Sequence, residues 1–198
     1  VGQINHALQR IKENVIQGGE VVKGILKYTR KGDEGFEALA LDEIINGALD
    51  MVQYKIKLNE IDVVRSYAKD GTKIKGNLVQ LQEAFFNFVD NAYDATVERR
   101  ELLKEEKYRG KIIISTQDQA DGKLRITIQD NGIGMKESWQ SKVFAPFFTT
   151  KTSSRRGTGL GLYVIKRIIE ENNHGAISFA SEYGKGTTFF VELPIAQG

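Results

Sequence analysis

Apolar residues at Leu41, Ile44, Ile45, Ala48, Leu49, Val52 and Ile56 keep the spacing of one buried helix face and predict a helix over residues 41–57. Upstream, Ile4, Leu8, Ile11, Val15, Val22 and Ile25 follow a narrower heptad seam, the stripe of a coiled-coil or bundle helix. Gly18 and Gly19 interrupt that seam and weaken it by about 1 kcal/mol each. The helix is expected to end near Lys31, where Lys31-Gly32-Asp33-Glu34-Gly35 is loop chemistry. Such a seam needs a cover from this chain, a second copy or upstream sequence, and the spacing favours self-association. Residues 61–67 and 72–75 read as short strands joined by the turn Lys69-Asp70-Gly71. Residues 77–107 form a strong helical pattern, apolar first and then charged, the charged half being a solvated extension. Strands are predicted at 111–116 and 124–129 around Asp121-Gly122, a hairpin signal. A helix over 159–173 and closing strands at 176–181 and 187–193 complete the pattern. Helices and hairpins are mixed rather than strictly alternating, which predicts an α+β fold with a mixed sheet under helices.

Composition narrows the function without naming it. The 198 residues, 40% hydrophobic and 27% charged, suit one globular domain with a real core and a small appendage. Twenty-eight basic against 26 acidic residues leave a net charge of +2, which argues against nucleic-acid binding and a polybasic membrane anchor. The absence of cysteine removes disulfides, thiolate nucleophiles and cysteine-ligated zinc. Two histidines cannot build a histidine-rich metal site. No apolar run approaches the ~18 residues of a membrane span, and no signal layout opens the chain. A soluble, cytoplasmic domain is expected, beginning in mid-helix, with any membrane segment upstream.

Three clusters carry candidate chemistry. Asn87, Asn91 and Asp94 lie four and three apart on one helix and share a face, bordered by Phe85, Phe86, Phe88 and Val89. Taken alone, ordinary helix-surface polarity is the simpler reading. Asp130-Asn131-Gly132-Ile133-Gly134-Met135 sits at a strand end, where the carboxylate can accept from the amino group of adenine and repel the carbonyl of guanine. It also describes an ordinary turn. Gly157-Thr158-Gly159-Leu160-Gly161-Leu162 opens a helix, and such a loop offers free N–H groups to phosphate. It is no Walker A loop, since Lys and Ser/Thr do not follow its last glycine. Before it run Phe144-Ala145-Pro146-Phe147-Phe148 and the basic residues Lys151, Arg155 and Arg156, whose arginines read as solvated loop charge.

In this order and spacing the clusters resemble the N, G1, F and G2 boxes of the ATP-binding domain of sensor histidine kinases, in the superfamily shared with gyrase B, Hsp90 and MutL. The resemblance covers roughly residues 41–194. It divides the chain into part of a dimerisation and histidine-phosphotransfer helix, residues 1–35, and a catalytic domain, residues 36–198. It implies a two-layer α/β sandwich of the Bergerat type that binds ATP and Mg²⁺. Asn91 would give an amide oxygen to the metal, and Asn87 would face metal or phosphates one turn earlier. Asp130 would read the adenine amino group with Thr187 nearby, and Gly132 and Gly134 would leave room for base and ribose. Lys151 would approach the terminal phosphate, and Gly157, Thr158, Gly159, Leu160 and Gly161 would wrap the phosphates. Asp94 stands where superfamily members vary.

The same resemblance bears on the reaction. Superfamily hydrolases carry glutamate where Asn87 stands, and an amide cannot take a proton from water, so phosphoryl transfer to a histidine is implied. Glu83 lies one turn too early to substitute. His6 is followed by Ala7 and Arg10 rather than the acid and proline of a phosphoacceptor motif, and reads as a bystander. His174 is expected to be structural. The acceptor is therefore expected outside this chain. The implied partners are a response regulator with a receiver domain and a second copy through the N-terminal helix. A serine kinase of the same superfamily, or a docking module with a vestigial nucleotide site, stands as the alternative.

Overall fold

Along residues 123–130, Leu124, Ile126, Ile128 and Asp130 are buried while the side chains between them are more exposed, the period-two signature of a strand with one face in a core. The computed structural model describes residues 35–53, 61–67, 72–104, 107–150 and 158–196. The predicted heptad helix with His6, and Lys151, Arg155, Arg156 and Gly157, lie outside the described residues.

In chain order the elements are β1 (Phe36–Ala40), α1 (Leu41–Gln53), β2 (Ile61–Ser66), β3 (Lys73–Asn77), α2 (Leu78–Leu103), β4 (Gly110–Asp118), β5 (Lys123–Asp130), α3 (Glu137–Gln140), α4 (Gly161–Lys166), β6 (Ala176–Glu182) and β7 (Gly186–Pro194). Five strands form a mixed sheet in the order β2-β4-β5-β7-β6, and β1 pairs with β3 in a separate ribbon. Within the sheet β2 runs parallel to β4, and the remaining pairs are antiparallel. The α+β, two-layer architecture expected from the sequence is therefore present.

The helices bury the faces that the spacing predicts. Leu41, Ile44, Ile45, Ala48, Leu49 and Val52 of α1 are all buried, as are Leu81, Ala84, Phe85, Phe88, Val89 and Ala92 of α2. A chain of aromatic rings runs from α2 across the sheet to Phe144. The ring centroids of Phe88 and Phe189 lie 5.2 Å apart, those of Phe189 and Phe179 5.9 Å, and those of Phe179 and Phe144 5.7 Å. Such pairs add about 0.5–1.5 kcal/mol beyond area burial. The start of α2 is capped by Asn77, whose Oδ1 accepts from the Gln80 N–H at 3.1 Å. Buried Asn173 joins that cap to the helical segment that follows α4, accepting from the Asn77 N–H at 3.1 Å and donating to the Ile168 carbonyl at 2.7 Å.

Three local expectations are corrected. Residues 61–67 and 72–75 do not pair with each other: β2 aligns with β4 from Ile61 opposite Gly110, and β3 pairs with β1. A turn signal says that the chain reverses, not which strand it meets. Here a Cβ at Gly110 would fall 2.8 Å from Ile61 and 2.9 Å from Thr96, so the glycine permits the close β2–β4–α2 junction. The strand β1, with only Leu39 buried in five residues, was too short and polar to stand out. The helix predicted to Lys107 stops at Leu103, where Lys104 adopts φ 48°. The helix over 159–173 begins at Gly161 and widens over Arg167–Asn172, ending with the Asn173 N–H on the carbonyl five residues back.

Phe88→Ala is expected to cost about 3–5 kcal/mol, and Val79→Ala, on the exposed side of α2, less than about 0.5 kcal/mol. Urea denaturation midpoints measure both, and equal losses would contradict this seating of α2.

Candidate functional site

A cavity of about 320 Å³ lies between α2, the loop after β5, the start of β7 and the turn into α4. Asn87, Asn91 and Asp94 all line it, as expected of positions four and three apart on a helix. Asp130, Gly134, Thr158, Gly159, Gly161 and Thr187 line it too, so residues spread over a hundred positions of sequence meet there. Gly132 and Leu160 are not part of its wall. The structure also brings in Asp90, Ala95, Glu98 and Trp139, to which the sequence assigned no role, and Met135 and Phe148 from the flanks of the motifs. Glu98 follows Asp94 by four residues, and that spacing was the available signal for it.

One end of the cavity is built around Asp130. Antiparallel pairing sets Asp130 directly opposite Thr187. Its Oδ1 accepts from the Gly132 N–H at 2.8 Å and the Thr187 N–H at 3.3 Å. The residue is only 6% exposed. Burial pushes its carboxyl up to about 6, against the pull of those two N–H groups in the opposite direction. The glycines around it serve backbone packing. A Cβ at Gly132 would fall 2.6 Å from Ala95, and one at Gly134 would fall 2.1 Å from the Glu182 carbonyl oxygen. Protein, rather than open space for a ligand, fills those positions. The Ile133 N–H donates to the Ala95 carbonyl at 3.0 Å, tying this loop to α2.

Asn131 anchors the same loop to β4. Its Oδ1 accepts from the Lys111 N–H at 2.7 Å, and its Nδ2 donates to the Arg109 carbonyl at 2.9 Å. The Asn131 carbonyl accepts from Arg99 Nη1 at 3.0 Å and from the Tyr108 hydroxyl at 3.1 Å. The Arg99 guanidinium lies 4.9 Å from the Tyr108 ring centroid. Arg99 is thus a brace, which residue type alone did not reveal, while Arg100, Glu101 and Lys104 are exposed, as expected of a solvated extension.

The other end is built from amides and glycine. Asn87 Nδ2 donates to the Glu83 carbonyl at 3.0 Å, which settles the amide orientation and leaves Oδ1 facing the turn into α4. A Cβ at Gly161 would lie 3.8 Å from that oxygen and 3.6 Å from Asn91 Nδ2, so it would fill the cradle between the amides and the start of α4. Gly159 has φ +68°, and a Cβ there would meet the Phe147 backbone at 2.5 Å. The Leu160 N–H donates to Thr158 Oγ1 at 3.3 Å. Among the described residues no group of three or more His, Cys, Asp or Glu is placed to hold a metal. Asn87 presents an oxygen to this open cradle, a ligand suited to a hard, hydrated cation that shares its remaining positions with phosphate and water, whereas Asn91 presents its Nδ2 and would hold such a cation only with its amide turned to bring Oδ1 inward. His174 lies in the turn before β6 at φ 53°, its ring 6.2 Å from that of Phe36.

A mixed sheet packed with helices thus carries a cavity with a buried acceptor at one end and an amide cradle at the other. The model of the histidine kinase-, DNA gyrase B- and HSP90-like ATPases matches residues 76–197, and the chain belongs to that family. The histidine-protein kinase AtoS of Escherichia coli is 33% identical over 176 residues, 89% of this chain and 27% of the relative. Sporulation kinase E of Bacillus subtilis is 31% identical, over 82% of this chain and 20% of the relative. This chain thus spans about a quarter or less of those relatives. The catalytic domain of histidine kinase ThkA is 30% identical with a TM-score of 0.65, covering 80% of this chain and 95% of that domain. Among the described residues no helix is long and apolar enough to cross a membrane.

The raised carboxyl has a thermodynamic consequence. The folded chain holds the Asp130 proton more tightly than the unfolded chain, whose value is near 3.8. Stability of the free protein therefore falls as pH rises from about 4 through about 6. Asp130→Asn removes that slope, and its melting-temperature advantage over wild type is expected to grow across this window and level off above pH 7. A constant difference would contradict the burial effect.

Proposed function

We propose that the chain is the catalytic domain of a sensor histidine kinase, binding ATP and passing its terminal phosphoryl group to a histidine outside this chain. The observation that carries this is the two-ended cavity: a buried carboxylate at Asp130 and, across the same space, the Asn87 and Asn91 amides facing Gly161. An ionised Asp130 accepts from an exocyclic amine, selecting adenine. The turn from Thr158 to Gly161 faces the phosphate tail, with Gly157 preceding it and Lys151 supplying positive charge by its place in the motif. Mg²⁺, held by Asn91 with Asn87 beside it, would neutralise charge on that tail.

Transfer rather than hydrolysis follows from what stands where. The Asn87 side chain carries no proton-accepting group of useful basicity. Asp94 and Glu98 lie on α2 to either side of Ala95, where the loop after Asp130 is tied down, and so stand toward the base end. Phosphoryl transfer asks mainly for position and charge neutralisation. The matched relatives are named as kinases. ThkA has also been solved in complex with a response regulator protein, TrrA, with a TM-score of 0.68 to this chain at 25% identity. This supports a response regulator as partner here, and the heptad spacing of residues 1–35 supports homodimerisation through that segment.

In calorimetric titrations Asp130→Asn is expected to weaken ATP binding by ten- to a hundredfold, the loss of a charge-assisted bond of about 1.5–3 kcal/mol. Asn91→Ala is expected to remove the magnesium dependence of that binding. Unchanged affinity in the first variant, or unchanged metal dependence in the second, would overturn the assignment.

The 198-residue chain incubated with radiolabelled Mg-ATP is expected neither to label itself nor to release phosphate rapidly. Stable label on His6 would place the acceptor inside the chain, and fast phosphate release would make it a hydrolase.

A further inference from the structure

Ser181, on the edge strand β6, makes three contacts through one oxygen. Its Oγ lies 2.9 Å from the Met135 N, 3.1 Å from the Gly186 carbonyl oxygen and 2.9 Å from Thr187 Oγ1. A hydroxyl has one hydrogen to give and two lone pairs to receive. The Met135 amide can only donate and the Gly186 carbonyl can only accept. All three contacts are hydrogen bonds in one arrangement alone: Ser181 gives its hydrogen to Gly186, and Thr187 gives its own to Ser181.

Thr187 lines the cavity and Ser181 does not. With its hydrogen committed, the Thr187 hydroxyl has only acceptor capacity left for a ligand. The Thr187 and Gly132 N–H groups are both spent on Asp130 Oδ1, and the carboxylate itself is an acceptor at neutral pH. The corner where Asp130 and Thr187 meet therefore offers lone pairs and no proton. We propose that Ser181 is a specificity-determining positioning residue: by holding the Thr187 hydrogen it makes this corner reject a carbonyl at purine position 6 and take an amino group. The inference rests on the nucleotide reading of the cavity, and it adds a repulsive element to the attraction supplied by Asp130. Without Ser181 the Thr187 hydroxyl rotates freely and donates to the very carbonyl it otherwise excludes.

The test compares ATP with ITP, which carries a carbonyl at that position, by competition binding on the 198-residue chain. Ser181→Ala is expected to narrow the ATP-over-ITP preference about tenfold, the worth of roughly one hydrogen bond, by improving ITP while ATP changes less than about twofold. Ser181→Thr, which keeps the hydroxyl, is expected to retain the wild-type ratio. Thr187→Val is expected to narrow the ratio too, and adding Ser181→Ala to it is expected to narrow it no further. Parallel weakening of both nucleotides in Ser181→Ala, an unchanged ratio, or an additive double variant overturns the proposal. If Ser181→Ala does not fold, Thr187→Val decides: a narrowed ratio supports the proposal and an unchanged one overturns it. A wild-type chain that binds neither nucleotide sinks the nucleotide reading itself, and is recognised before any variant is made.

Discussion

A carboxylate kept inside the protein by two backbone N–H groups is the constraint on which the site depends. Asp130 gives up water on entering the core, and the Gly132 and Thr187 amides offset only part of that cost, as its raised pKa records. Those donors come from different segments, so the carboxylate is held only if the loop after β5 and the start of β7 both close on it. Close approach is what the glycines allow. At Gly186, φ is +126° and a Cβ would stand 2.1 Å from the Asp130 carbonyl oxygen, leaving no space for any side chain.

Helix α2 sets the distance between the two ends of the cavity. Ala95 receives the loop that carries Asp130's neighbours, while Asn91 and Asn87 lie one and two turns earlier, about 6 and 12 Å along the axis at 1.5 Å per residue. The helix can act as a ruler because its apolar side is clamped by the Phe88–Phe189 pair and its end is braced through Arg99 and Tyr108 on Asn131. Packing, capping and recognition are therefore parts of one arrangement. Loosening the brace would shift the base end relative to the amide end, and catalytic geometry tolerates little such movement.

The proposed choice of transfer over hydrolysis turns on one side chain. At position 87 an amide donates to the Glu83 carbonyl and turns its oxygen, a poor base, to the cradle. Carboxylates are present in the wall at Asp94 and Glu98, toward the opposite end, and at Asp90, between the two amides on α2, so the proposal rests on the residue at position 87 and not on an absence of acids. Under the proposed function such a site would orient the phosphate tail and leave the nucleophile to another domain.

Much of this was legible in order and spacing. The α1 and α2 faces, the β4–β5 hairpin and the shared helical side of Asn87, Asn91 and Asp94 follow from periods of 3.6 and 2 that local stereochemistry imposes. The resemblance carried by the motifs implied Asp130, Thr158, Gly159, Gly161 and Thr187. Partner choice was not legible: β2 with β4 and β3 with β1 are set by non-local burial, because a strand's pattern specifies a face and not a neighbour. The purpose of Gly132 and Gly134, the bracing role of Arg99 and the hydrogen held by Ser181 were equally hidden. Each depends on which groups from distant segments arrive within bonding distance, and a linear sequence states what a residue can donate or accept but not to whom.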